Sequence, residues 1–445
     1  MNSNRSKFGM VLPIILISYF MLVLDNSIIF TSTVKISNDL GLTATSLSWV
    51  STAYALTFGG LLLIGGRMGD IFGRKKMLLV GLLIFSISSL FVGASVNGLM
   101  IILMRAAQGI GSAILAPTTL ALLMDSYTGK MRIRAIAAYG ATAGIGASFG
   151  LVIGGLIASF WTWRWGFFVN VPVGILLFVL TVIFVKDYTE KKEQKIDLAG
   201  TALSILGLSL LIYSIVGEQY KILTGILAAV LLIFFVLIEK NTTVPLMPLK
   251  IYVDWERSCA YFARFFYMGA MMSYWFLTPQ AMQNVYRFTP LQAGAAFLPM
   301  TLIQFISAML TSRLSARWGN TKLLIIGVTT TLIGPGLSTL IGIQAGYIWA
   351  IALPMIFLGI GQGFSLSALT TAGIANTDRN LAGAASGVIN MIHQIGGSVG
   401  LALAVAVGSH FLNFSLNYRV STGIVTIYLA LSTIAVVIIA IKNKK

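Results

Sequence analysis

The sequence predicts an all-α integral membrane protein, and three observations carry this. Of its 445 residues, 57% are hydrophobic and 10% charged, against about 25% charged in a soluble domain. Mean hydropathy is +0.90, more apolar surface than a water-soluble core could hide. The apolar runs are long and continuous, as spanning helices of about 20 residues require. A β-barrel would alternate apolar and polar residues with period two. A soluble enzyme, a secreted domain and a disordered chain are excluded.

Fourteen helices are expected, at roughly 9–33, 46–65, 77–96, 98–124, 134–160, 165–186, 197–217, 221–239, 257–282, 291–312, 322–342, 346–371, 381–411 and 422–441. The first apolar run begins near Phe8 and passes Ser18 and Asp25 without a small-residue cleavage site, so it reads as a membrane helix and not a removed signal. An even number of passes puts both termini on one side. On that side fall 23 of the 30 Lys and Arg residues, among them Arg67, Arg74, Lys75, Lys76, Lys130, Lys191, Arg257, Arg313, Arg317 and Lys442. The other side holds Lys35, Arg164, Lys221, Arg287 and Arg419. The positive-inside rule therefore predicts a multi-pass protein of the cell membrane with both termini cytoplasmic. It also accounts for the net charge of +17 without nucleic acid. Cys259 is the sole cysteine, which excludes an internal disulfide and a cysteine-based metal cluster.

The chain repeats. Arg67-Met68-Gly69 after the second span has an echo in Arg317-Trp318-Gly319 after the tenth, and Gln108-Gly109 in the fourth has one in Gln362-Gly363 in the twelfth. Both offsets are near 250 residues. The expected organisation is a six-helix bundle over 1–190, a two-helix insert with its linkers over 191–250, and a second six-helix bundle over 251–445. Parallel six-helix repeats are a transporter architecture with the cargo site between the halves.

Little here suits an enzyme. There is no phosphate-binding G-x-x-x-x-G-K-[ST] loop, no nucleophile elbow, and no His/Asp/Cys group at metal-ligand spacing around the two histidines, His393 and His410. Neither metal nor cofactor is expected. A secondary transporter needs only a cavity and an ionisable group that can alternate. Asp25 is the one carboxylate well inside a predicted span, about 10 Å from the outer end at 1.5 Å per residue. Arg105 lies at the same estimated depth in the fourth span. Intramembrane ionisable residues are functional candidates by default, so Asp25 and Arg105 are the expected proton-coupling pair, with a static structural ion pair as the alternative. Burial disfavours the aspartate's charge and a neighbouring arginine favours it. Cargo and proton would then compete for one site. Arg264 in the ninth span reads equally as a cargo contact or an inter-helix tether. His393, beside Gln394 and one turn from Asn390, reads equally as a cargo contact lining the cavity or as a histidine hydrogen-bonded between helices. Asn26, Tyr54, Gln108, Gln280, Gln304, Gln362 and Asn390 could each present a hydrogen-bonding group to cargo.

The string Gly65-Gly66-Arg67-Met68-Gly69-Asp70-Ile71-Phe72-Gly73-Arg74-Lys75-Lys76 reads as a tight glycine turn with a capping aspartate and a basic surface anchor. It resembles the signature loop of the major facilitator superfamily. Leu24-Asp25-Asn26-Ser27, Arg105-Ala106-Ala107-Gln108-Gly109, Trp163-Arg164-Trp165 with Asn170-Val171-Pro172-Val173-Gly174, and Thr289-Pro290-Leu291-Gln292-Ala293-Gly294 are similar to motifs of its fourteen-helix drug:proton antiporter branch. The resemblance implies export of amphipathic cationic and zwitterionic drugs, driven by the proton gradient, by a monomer in the lipid bilayer. It also implies a gating role for Gly66, Arg67, Gly69, Asp70, Gly73 and Arg74. In the fifth span Gly146, Gly150, Gly154 and Gly155 match the branch's glycine motif, but Leu151 stands where a proline is expected, and Ala316 replaces the loop aspartate in the second half. The alternatives are a same-fold exporter of one metabolite or lipid and, further off, a membrane enzyme or sensor.

Overall fold

The computed structural model describes residues 9–186, 197–217, 219–242, 245, 247, 249–377 and 382–442. The described residues form helices and turns, with no strand among them. The spans are α1 (Val11–Leu40), α2 (Ala44–Phe72), α3 (Arg74–Gly93), α4 (Gly98–Ser126), α5 (Gly129–Phe160), α6 (Trp165–Phe168) continued by α7 (Asn170–Phe184), α8 (Leu198–Val216), α9 (Lys221–Asn241), α10 (Trp255–Val285), α11 (Pro290–Ala295) continued by α12 (Leu298–Trp318), α13 (Asn320–Ile341), α14 (Leu353–Gly373), α15 (Ala382–Gly408) and α16 (Phe414–Lys442). With the two broken pairs each counted as one pass, the described residues make fourteen helical passes. Thirteen passes among the described residues are long and apolar enough to span a membrane. The fourteenth is α10, whose 31 residues carry Glu256, Arg257, Arg264, Gln280 and Gln283.

Helix starts follow side-chain chemistry. Thr43, Asn97 and Asp254 accept from the backbone N–H of Ser46, Met100 and Arg257, and Thr289 forms a reciprocal capping box with Gln292. Each of these caps satisfies orphan N–H groups of a first turn.

Three local expectations are corrected. The glycine-rich string is helical through Phe72, and the turn is confined to Gly73 at φ +91. Gly65 serves packing, since a Cβ there would enter the Ala113 backbone of α4, whereas a Cβ at Gly69 would make only ordinary contact with Thr118. The matching turn in the second half is Gly319 at φ +83, so the structural repeat pairs Gly73 with Gly319 and Asp70 with Ala316. The first helix runs to Leu40, which puts Asp25 at mid-helix and not near one end. Its last turns carry Lys35 and Asp39, so the apolar run stops before the helix does.

α1–α7 pack into one half and α10–α16 into the other, with α8 and α9 beside the seam between α2 and α15. The end bearing Gly73 and Lys442 is called the basic end and the opposite one the far end. At the far end the halves touch closely. A Cβ at Gly155 would fall 2.5 Å from the Pro290 carbonyl oxygen, and one at Gly294 would enter the Leu151 carbonyl. Leu291 N–H donates to Ser159 Oγ at 2.9 Å and Gln283 Nε2 to the Thr31 carbonyl at 3.2 Å. Toward the basic end, α5 and α12 still touch at Gly144, where a Cβ would meet Phe305 Cδ2 at 3.7 Å, while one at Gly140 would meet nothing within 4 Å. This is a state closed at the far end. α5 is unbroken, with Leu151 fully buried at the closure, so the contact forms without a proline-dependent kink.

Candidate functional site

Asp25 sits where five of the six passes of the first half converge. Its Oδ2 accepts from Arg105 Nη1 at 2.7 Å, and its Oδ1 from Gln108 Nε2 at 2.9 Å and Asn170 Nδ2 at 2.7 Å. Gln108 also accepts from Arg105 Nη1 at 2.6 Å and donates to Ser89 Oγ at 2.6 Å. Arg105 Nε donates to the Val50 carbonyl at 3.1 Å. The guanidinium carbon lies 4.3 Å from the Tyr54 ring centre and 5.8 Å from that of Phe167. Tyr54 in turn donates to Ser112 at 2.8 Å. Asp25, Arg105 and Gln108 have no exposed surface.

The local sequence explains the orientation. Gly146, Gly150 and Gly154 let α5 lie against Val23, Ser27 and Ile28 of α1. At 100° per residue, Ser27 points almost opposite to Asp25, so the aspartate faces the interior of its own half. Three N–H groups aimed at two oxygens form the pattern of a carboxylate, since a carboxylic acid must donate one bond. In this arrangement proton binding requires a donor to move. Direct contact with cargo would likewise require the cluster to open.

The remaining candidates fall in separate places. Gln108 and Tyr54 belong to the Asp25 cluster. Asn26 is half-buried on the face of α1 near Phe30, which packs edge-on against Trp275. Gln280 donates to the Phe276 carbonyl at 2.8 Å and lines a small pocket at the far end with Ala44, Ser409 and Asn417. Gln304 is half-buried on α12. Gln362 is buried and donates to Met271 Sδ at 2.5 Å. Asn390 is exposed and donates to the Ser386 carbonyl at 3.0 Å. Arg264 and His393 meet at 2.8 Å. Asp378, which the sequence offers after Asp25 as a further acidic group for the proton, lies outside the described residues.

At the basic end Asp70 pairs with Arg74 at 3.2 Å, and Arg74 with Asp125 of α4 at 2.5 Å. These contacts stay within the first half. Arg67 donates to the Pro245 carbonyl in the linker after α9 at 3.0 Å. Gly66 has Pro117 as its neighbour and Gly69 has Thr118, both on α4. At the far end Asp39 accepts from Arg164 at 2.8 Å and Trp163 Nε1 at 3.0 Å, while Arg164 also donates to the Gly93 and Ser95 carbonyls. The Trp-Arg-Trp string thus fastens α6 to α1 and α3. Asn170 and Ser89 are site residues that sequence reasoning misses. Asn170 has a signal, its place in the Asn-x-Pro-x-Gly string, but Ser89 has none.

The family model described as Major Facilitator Superfamily matches residues 15–401. The chain is 32% identical over 394 residues to the MFS-type transporter EfpA of Mycobacterium tuberculosis, covering 86% of this chain and 74% of that one. It is 32% identical over 436 residues to the puromycin resistance protein pur8 of Streptomyces alboniger, covering 96% and 84%. Among solved structures it is similar to a mutant of the peptide transporter POT in complex with sulfate, with a TM-score of 0.73 at 13% identity over 96% of this chain and 94% of that one.

Proposed function

The chain belongs to the Major Facilitator Superfamily, and we propose that it is a proton-coupled exporter of amphipathic cationic and zwitterionic drugs, with both termini in the cytoplasm. The observation that carries the coupling is the buried Asp25 carboxylate held by Arg105, Gln108 and Asn170. Export of drugs is supported by the likeness to the cephamycin export protein CmcT and to the puromycin resistance protein pur8. The cytoplasmic position of the termini rests on the distribution of Lys and Arg.

In the state closed at the far end, Asp25 is ionised, and access would come from the basic end. Cargo enters from the cytoplasm while the proton is absent. When the far end opens, the halves rotate about their seam and the spans around Asp25 shift. A proton reaching Asp25 there would replace Arg105 or Asn170 as its partner, and its release on return to this state completes one exchange. Coupling runs through rearrangement of α1 and α4, with cargo bound elsewhere. Purified protein in liposomes tests the reading. An imposed pH gradient should drive uptake of a planar dye cation into inside-acidic vesicles, and the dye should dissipate the gradient. Dye movement that ignores the gradient would refute it.

A further inference from the structure

Arg264 of α10 is 5% exposed and lies within the membrane-spanning part of the second half. Its guanidinium offers three nitrogens and uses two. Nη1 donates to the Leu366 carbonyl of α14 at 3.0 Å, Nη2 contacts His393 Nδ1 at 2.8 Å, and Nε has no acceptor. No carboxylate pairs with it among the described residues. Asp254 and Glu256 stand at the start of α10, where Asp254 caps the Arg257 N–H. An arginine only donates, so Nδ1 must accept, and His393 is neutral with its hydrogen on Nε2.

The pair lies toward the space between the halves. Around α15, Gly396 and Gly400 face α10, while Gly387 and Gln394 face α2 of the other half. At 100° per residue, His393 falls between these seams, on the side that carries exposed Asn390. The opposite side of α15 is covered by α8, through Leu208 and Ile212 against Val399 and Ala402. His393 is half-buried, beside the buried Arg264.

We propose that Arg264 and His393 form a binding site for a carboxylate-bearing amphipathic cargo, and that the carboxylate binds together with a proton on His393. This rests on the transport reading above and names the part of the cargo it would hold. A buried guanidinium without an anionic partner is costly to keep, and an entering carboxylate can accept two parallel N–H bonds from it. A second positive charge on His393 would be opposed by Arg264 at 2.8 Å. An intervening carboxylate removes that opposition and accepts from the imidazolium as well.

Among the described residues no other charge is placed to do this. Tyr261 of α10, one turn before Arg264, packs against Val388 and Ile389 of α15, Tyr267 pairs with Thr331 at 3.1 Å, and Tyr428 of α16 donates to the Gly400 carbonyl at 3.2 Å; none of these is a carboxylate or a permanent charge. α14 carries no titratable residue, the Gly59–Leu63 stretch of α2 that faces α15 carries none, and α8 has only Tyr213 near its far end. The site therefore differs in sign from Asp25. Proton and anion bind together here, whereas at Asp25 the proton displaces a cationic partner.

The probe is 1-naphthoate, with methyl 1-naphthoate as its uncharged control, added to the purified full chain in detergent near pH 7. Wild type should bind the acid at least about tenfold more tightly than the ester, as a charge-assisted pair predicts, and should take up one proton per anion. Arg264→Gln should lose that preference. His393→Gln, whose amide oxygen still accepts from Arg264, should bind the anion without proton uptake. Melting curves of both variants identify any that fail to fold. Equal binding of acid and ester by wild type, or an unchanged preference in folded Arg264→Gln, would overturn the site. Absent proton uptake by wild type, or uptake that persists in His393→Gln, would overturn the coupling. The liposome dye uptake described above tests the export reading separately.

Discussion

Asn170 and Asp25, 145 positions apart in the chain, meet at 2.7 Å with no water-accessible surface on the aspartate. Asn170 is the first residue of α7, immediately after the break that separates it from α6. The break therefore delivers a hydrogen-bond donor to the buried carboxylate. Removing it leaves Oδ1 with Gln108 alone. Asn170→Ala should cost about 1.5–3 kcal/mol, the scale of a hydrogen bond to a charged group, and lower the melting temperature in detergent. Asn170→Ala should also slow proton-coupled transport, whereas the same change at Asn417, on the far-end pocket, should leave coupling intact. A variant as stable and as well coupled as wild type would remove Asn170 from the cluster.

The close approach of Gly294 to Leu151 sets a second expectation. A branched side chain there has no room in the closed far end, so Gly294→Val should favour the state open at that end. In a Cys259→Ser background, a cysteine placed at Ser159 reports on the junction. An impermeant maleimide should label it several-fold faster with Gly294→Val, because opening exposes the face that Leu291 now covers. Equal labelling would show that α5 and α11 tolerate the bulk.

Much of this arrangement is legible in the sequence. The spans follow from apolar runs and the side of the termini from the basic loops. Pairing of Asp25 with Arg105 is expected from their polarity in apolar surroundings. The sequence does not reveal which way polar residues face. Tyr54 and Gln108 look alike whether they point at cargo or inward, and here both turn toward Asp25. Depth is misread because α1 continues as a polar helix past its apolar run, beyond Lys35. The Gly65–Lys76 string reads as a turn from glycine content, yet its helix continues because Gly65 packs against Ala113, and tertiary contact outweighs intrinsic propensity. Arg264 and His393 are 129 positions apart, and nothing local joins them.

Asp70, Arg74 and Asp125 link α2, α3 and α4 at the basic end. All three side chains are partly exposed, so each pair contributes about 0–1 kcal/mol to stability. Asp70→Asn and Asp125→Asn should therefore fold normally. If closing the basic end recruits Asp70 and Arg74 across the halves, Asp70→Asn should transport at less than about a third of the wild-type rate, as loss of one lock in a two-state transition implies. Transport at the wild-type rate would leave the string a topology signal.

The central claim is that the proton of the exchange binds at Asp25. The direct measurement is proton release into weakly buffered solution when a planar dye cation is added to purified protein, wild type against Asp25→Asn. The asparagine is close to the protonated carboxyl in shape and cannot titrate, but it leaves buried Arg105 without its carboxylate, so a melting curve accompanies the measurement; the folded variant should release no proton from this site and lose gradient-driven efflux. Release from Asp25→Asn equal to that from wild type would contradict the account and place the exchanged proton on another group.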